Sequence, residues 1–189
     1  MIRSTLALAL VAASAAVFAA PTTYTIDSTH TYAAYEVNHL GLSLQSGSFT
    51  KVEGQLNIDA TAKTGAVNVK IDANSLNTFL PDRDKHLKSA DFFNVEKFPT
   101  LTYQSSKVVF KGQKPVEVQG QLTLLGVTKP VTLKLTHVAL AKNPMSGKET
   151  YGANAVATIK RSEFGMKTFA PAISDEVKLS FVLEAIKAD

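Results

Sequence analysis

Apolar residues recur at every second position along most of the chain, the period of strands that bury one face. Ala33, Tyr35 and Val37 form one such set, and Val67, Val69 and Ile71 another. Leu122 and Leu124 follow, then Val131, Leu133 and Leu135, then Val177, Leu179, Phe181 and Leu183, mostly with Lys, Thr or Ser between them. Seven or more amphipathic strands need a closed barrel or a sandwich to hide one face.

Strand length favours the barrel. Gln113 to Leu140 reads as two long strands joined at Leu125-Gly126-Val127. The second extends over as many as fourteen residues, about 45 Å at the usual rise. Between Gly47 and Ile58 the alternation slips by one: Gly47 and Phe49 share one parity, while Val52, Gly54, Leu56 and Ile58 share the other. A bulge near Thr50-Lys51 restores the phase and bends the strand, as barrel closure requires. Gly54 and Gly120, inside strand patterns, fit bends or close approach. One short helix is predicted near residues 82–89: Pro81 and Asp82 stand at its start, Asp84 in its first turn and Lys88 near its end. The fold class predicted is all-β, a single antiparallel barrel of about eight long strands with that one helix.

The first nineteen residues read as a signal peptide. Arg3 precedes an apolar, Ala-rich stretch, Leu6 to Val17, too short to span a bilayer as a helix, and cleavage is expected after Ala19. The alternative is an uncleaved anchor. Residues 20–189 then form one exported domain, and the expected compartment is the periplasm. Removing Arg3 takes the formal charge from +4 to +3, with lysines spread along the chain and no Trp, so a nucleic-acid groove has little support. With no Cys, the fold holds without disulfides in an oxidising compartment.

Several motifs suggest catalysis and then fail. Ser48-Phe49-Thr50-Lys51 and Lys63-Thr64-Gly65 are two words of the penicillin-binding vocabulary, but they lie only a dozen residues apart, with no S-D-N between. Of the four histidines, His30 and His39 lie nine apart on one strand, so odd spacing sends them to opposite faces. Asp82, Asp84 and His86 scatter around a helix. No metal site is expected. Arg83 and Arg161 are the remaining polar candidates. Arg161, in Arg161-Ser162-Glu163-Phe164-Gly165, reads as a strand end, pairing with an acid at the rim or facing a polar ligand end. Ala153, Ala155, Ala157 and Ile159 present small groups where large ones are needed to fill a barrel. Together with Ala33 and Gly54 they point to an apolar tunnel.

Four runs in fixed order carry a resemblance: YTIDSTH (Tyr24 to His30), RDKHLKSADFF (Arg83 to Phe93), GQLTLLGVTKPVTL (Gly120 to Leu133) and RSEFGM (Arg161 to Met166). Over about Tyr24 to Lys187 the chain resembles the YceI-like family, secreted bacterial proteins with a lipocalin-like barrel that holds a polyisoprenoid lipid, in some members ubiquinone. The chain departs from the common pattern at Tyr24, where a Trp is usual, and that leaves the packing of one barrel end open. His30 and His39 match histidines of the family motif.

The resemblance implies a periplasmic binding or carrier protein, not an enzyme, with no catalytic cofactor and a bound isoprenoid lipid such as ubiquinone. The alternative is a periplasmic enzyme or stress protein acting on a lipid or other apolar small molecule. An outer-membrane barrel, apolar face outward, is a further rival. The expected tunnel lining is Ala33, Tyr35, Val37, Phe49, Val69, Leu101, Tyr103, Leu122, Leu124, Leu133, Ala155, Ala157, Phe164, Leu179 and Phe181. Tyr35 and Tyr103 can offer a hydroxyl to a quinone or phosphate oxygen, and His39 and Arg161 are the candidate head-group contacts. The partners expected are a long-chain isoprenoid lipid and a transient membrane or membrane-protein contact; a homodimer is compatible with the sequence, and nucleic acid is not expected.

Overall fold

The computed structural model describes residues 21–189, so the signal peptide predicted over residues 1–19 lies outside the described residues. The strands are β1 (Thr22–Ile26), β2 (Tyr32–His39), β3 (Ser43–Phe49), β4 (Val52–Asp59), β5 (Thr64–Asp72) and β6 (Leu76–Asn77). After helix α1 (Pro81–Lys88) come β7 (Thr100–Lys111), β8 (Lys114–Leu124), β9 (Val127–Lys142), β10 (Glu149–Lys160) and β11 (Ile173–Lys187). The ring runs β1-β4-β5-β7-β8-β9-β10-β11 and closes where β11 pairs back with β1. All its pairings are antiparallel. Closure leaves the eight-stranded ring without a free edge. This is the closed barrel that alternation and strand length favour, with the lipocalin-like architecture that the family resemblance implies.

Two staves are bent and each is built from two strands. β11 pairs with β2 over Ile173 to Val182 and with β1 over Ala185 to Lys187, so β1 and β2 are one stave with a corner. Thr31 holds that corner: its hydroxyl donates to the Glu184 carbonyl and accepts from the Glu184 N–H. The second bent stave is β3 and β4, broken at Thr50-Lys51 as the phase slip predicts. Gly47 and Phe49 are buried before the break, Val52 and Leu56 after it. A second bulge lies in β9, where Asn154 faces His137 but Ala155 faces Leu135. Thr136 is the extra residue, and it turns Val138 to the inner side. β9 reaches sixteen residues, longer than the fourteen expected.

The two ends of the barrel differ. One, the hairpin end, carries the tight turns after β4, β7 and β9. Here the Tyr24 hydroxyl donates to Glu149 Oε1 at 2.7 Å, and Lys187 lies 3.3 Å from the same carboxylate. Tyr24 and Tyr151 meet edge to face at 4.8 Å. At the position where a Trp is usual, a phenol therefore ties β1 to β10. The other, the helix end, carries α1, the segment after it and the 3-10 turn Arg161–Phe164. Pro81 opens α1, with Asp82 and Asp84 in its first turn and Lys85, His86 and Lys88 in its last, as the macrodipole favours. Asp84 also accepts from the Thr78 N–H at 2.7 Å and the Thr78 hydroxyl at 2.5 Å, which fixes the helix to the strand before it.

Candidate functional site

Three cavities follow one another inside the barrel, as β11 shows. Leu183 and Phe181 line a lower cavity of about 110 Å³. Phe181, Leu179 and Val177 line a middle one of about 70 Å³. Val177 and Ile173 line an upper one of about 280 Å³ at the helix end. Phe181 belongs to both lower and middle walls, while Tyr35, Phe93, Arg161, Met166 and Val177 belong to both middle and upper walls. The interior is thus a series of chambers partitioned by side chains rather than one open bore.

Most residues picked from the sequence stand on these walls. Val69, Tyr103, Leu133 and Ala155 line the lower cavity. Ala33, Tyr35, Phe49, Leu101, Leu122, Leu124, Leu179 and Phe181 line the middle one. Val37, His39 and Arg161 stand at the upper one. Two residues differ. Ala157 packs against the core but stands on no wall of these three chambers. Phe164, only 1% exposed, belongs to the packed core from its place in the 3-10 turn and stands on no wall of these three chambers. Val156, of opposite parity to Ala155, is exposed.

The walls change character along the axis. Tyr103 brings a hydroxyl to the lower chamber, but its oxygen lies 2.9 Å from both the Val118 and Val131 carbonyls. Its ring lines the chamber while its hydroxyl is engaged as a structural donor, and burial pushes its pKa up to about 12. Gly120 makes room for that ring: a Cβ there would meet the Tyr103 hydroxyl at 2.8 Å. The upper chamber gathers Arg83, Arg161, His39, Gln45, Ser46 and the Tyr35 phenol, with no carboxylate on its wall. Burial pushes the Tyr35 hydroxyl up to about 12, so it stays a neutral donor.

The two guanidinium groups are held differently. Arg161, 3% exposed, donates from Nε to the Ser174 carbonyl at 2.9 Å. Its Nη1 donates to the Met166 carbonyl at 3.2 Å and the Thr168 carbonyl at 2.9 Å, and its Nη2 to the Ile173 carbonyl at 2.9 Å. Burial pulls its pKa below the ordinary value, opposed by Asp175. The acidic partner expected at the rim is replaced by these carbonyls, because Asp175 instead accepts from the Ser162 N–H and hydroxyl. Arg83 donates at 2.6 Å to Gln45 Oε1 and at 2.6 Å to the Thr78 carbonyl. Its Nε–H is the one buried side-chain polar group without a partner among the described residues, a costly arrangement.

Several wall residues escaped the sequence reading. Leu87, Phe92 and Phe93 reach the upper chamber because α1 and the stretch after it fold back over the barrel, and Met166 because the 3-10 turn ties its N–H to the Arg161 carbonyl. The Phe93 N–H donates to the Leu87 carbonyl, and its ring meets Phe49 at 5.2 Å. Outside the barrel, Asp27, His30 and Glu184 bring ligand atoms within 4.8 Å of one another. The His30 Nδ1 there lies 2.7 Å from Asp27 Oδ2, which occupies it in a corner-fixing hydrogen bond.

A closed antiparallel barrel with apolar inner chambers and a polar, arginine-lined end defines a lipocalin-like binding fold. The YceI-like domain model matches residues 24–185, and the chain belongs to that family. It is 37% identical over 159 residues to the YceI protein of Salmonella arizonae, covering 84% of this chain and 82% of that one. The crystal structure of Burkholderia cenocepacia BcnA superposes with a TM-score of 0.73 at 25% identity, covering 85% of this chain and 99% of BcnA. A polyisoprenoid-binding domain from Saccharophagus degradans, implicated in plant cell wall breakdown, shares the fold at 19% identity. Its TM-score is 0.66 over 88% of this chain and 99% of that one.

Proposed function

We propose that the protein is a periplasmic carrier that holds a long isoprenoid lipid, with the tail threaded through the inner chambers and the head group in the upper one. The carrying observation is the polarity gradient along the axis: aliphatic and aromatic walls below, two guanidinium groups, an imidazole and a phenol above. The Saccharophagus domain, described as binding polyisoprenoids, supports this ligand class. Desolvation supplies the affinity, at roughly 0.8 kcal/mol per buried CH₂, less the cost of ordering the tail. At the head, donors dominate and carboxylates are missing from the wall, which suits acceptor oxygens such as those of a quinone or a phosphate. The unpartnered Arg83 Nε–H joins His39 and Arg161 as a candidate head-group contact, and ubiquinone is the leading ligand. Export follows from the signal-peptide pattern of residues 1–19.

The reading as an enzyme or stress protein acting on a lipid would rest on His39, the one imidazole on the chamber wall. The carrier reading is tested by titrating the mature protein with isoprenoids of increasing length, both polyprenols and ubiquinones, and following the melting temperature. Stabilisation that grows with tail length is the expected result. No stabilisation at any length would overturn it.

A further inference from the structure

Half of the large apolar residues that the described fold leaves in water gather at one end. Leu40, Leu42, Leu44, Leu80 and Phe169 are exposed at the helix end, Leu42 at 83%, while Phe79, at 87%, stands on the barrel flank beside Tyr32, Ser48 and Thr50. The hairpin end exposes only Leu140 and Met145 among the described residues. Scattered apolar residues are ordinary on a protein surface; a contiguous group around the mouth of a chamber is not.

The group is physically joined. The Leu40 N–H donates to the Ala172 carbonyl at 2.9 Å, and the Ile173 N–H to the Phe169 carbonyl at 2.8 Å, so the turn after β2 and the loop before β11 form one ridge. Phe169 stands 6.1 Å from Phe92, which with Ile173 lines the upper chamber. Backbone conformation adds an independent sign. Leu40 and Phe169 both have φ of 59°, the left-handed region where Gly or Asn fits at less cost. At each of these two positions a large apolar side chain is thus held on a disfavoured backbone with about half of its surface in water.

We infer that this rim is a docking surface for a phospholipid bilayer, inserting Leu42, Phe169 and their neighbours so that the upper chamber opens onto hydrocarbon. The inference rests on the carrier reading and names where that carrier exchanges its lipid: a tail passing between chamber and membrane through this rim avoids water. Charge agrees with the choice. Residues 40–44 hold no charged group, and residues 165–172 hold only Lys167. Lys85 and Lys88 lie on the neighbouring helix. Of the carboxylates nearby, Asp84 is tied to Thr78 and Asp91 lies 3.9 Å from His86, while Asp82, Glu96 and Glu163 face solvent, none of them within residues 40–44 or 165–172.

The test is flotation of the mature protein with vesicles of phosphatidylethanolamine and phosphatidylglycerol. It compares wild type, Leu42→Ser, Phe169→Asn and, at the opposite end, Met145→Ser. Asn keeps the left-handed backbone available at 169, and unchanged melting temperatures establish that the variants fold. Wild type and Met145→Ser should float, while each rim variant should partition about tenfold more weakly, the loss of one large apolar group from lipid. Rim variants that float like wild type would overturn the inference, as would a wild type that stays in solution. A rim variant that turns a dimer into a monomer without changing flotation would assign the face to a second copy instead. Polyprenol binding measured on the same proteins without vesicles separates the two readings: its failure refutes the carrier, whereas intact binding without flotation refutes only the docking.

Discussion

Replacing Ala155 by Phe puts a six-carbon ring where a methyl group lines the lower chamber. Ala155 is 6% exposed and packs opposite Leu135 and Phe181 across the sheet. In a dry, filled core the added ring overpacks, at a cost of about 1–3 kcal/mol. Here a chamber of about 110 Å³ adjoins the methyl, and an apolar cavity of about 150 Å³ accepts a benzene ring. The chamber is about three-quarters of that size, so the new ring fills it with a tight fit that side-chain adjustment absorbs, and the stability should change by no more than about 1 kcal/mol, or 2–4 °C in Tm. The same ring denies the chamber to a tail. Losing about one isoprene unit of contact removes up to about 4 kcal/mol of desolvation; after partial offset by ordering costs, about 2–3 kcal/mol remains and the expected weakening is about 30- to 150-fold in Kd. Differential scanning calorimetry and a polyprenol titration measure the two effects on one sample. Val156→Phe, on the exposed face, serves as control and should leave binding unchanged. An Ala155→Phe protein destabilised by about 3 kcal/mol, or one that binds like wild type, would refute the reasoning.

Other expected outcomes follow from particular contacts. Tyr103→Phe removes the donor shared by the Val118 and Val131 carbonyls and should cost about 1 kcal/mol, read by denaturant unfolding, with little change in lipid affinity. Arg161→Lys replaces a planar fork that satisfies four carbonyls and should lose about 3 kcal/mol or more, with faster amide exchange in residues 165–174. Tyr24 and Lys187 hold the Glu149 carboxyl below its usual range, and Ser162 does the same for Asp175. A depressed carboxylate gives stability that is present above the unfolded pKa, about 4, and lost as pH falls through the folded value. Melting temperature should therefore fall below about pH 4, less steeply in Asp175→Asn. His30 is raised, chiefly by its hydrogen bond to Asp27, so its contribution is present below about pH 6.5 and lost as pH rises through the raised value; His30→Asn should remove that upper step.

The barrel was legible because its inner face repeats with a period of two, and the bulge at Thr50-Lys51 showed as a slip between Phe49 and Val52. The bulge at Thr136 was not legible: Thr136 and His137 are both polar, so an inserted residue leaves no break in the apolar pattern, and Val138 was missed. The corner between β1 and β2 was hidden for a similar reason, since Thr31 acts through backbone groups of Glu184 some 153 residues away. Arg161 was read as a strand-end residue that pairs with an acid at the rim or faces a polar ligand end, because a charged residue in a sequence suggests a charged partner, whereas the fold buries it and supplies carbonyls from its own loop. Phe164 follows strand parity only until the chain leaves the strand and coils into a 3-10 turn. Phe92 and Phe93 reach the upper chamber through a tertiary fold-back of the helix segment, which no local period encodes.

Native mass spectrometry of the protein, gently isolated from its own host, tests the central claim most directly. The carrier account predicts a 1:1 adduct whose mass, after release into organic solvent, is that of a long isoprenoid. A bare polypeptide mass, together with no uptake of added ubiquinone or polyprenol, would contradict it.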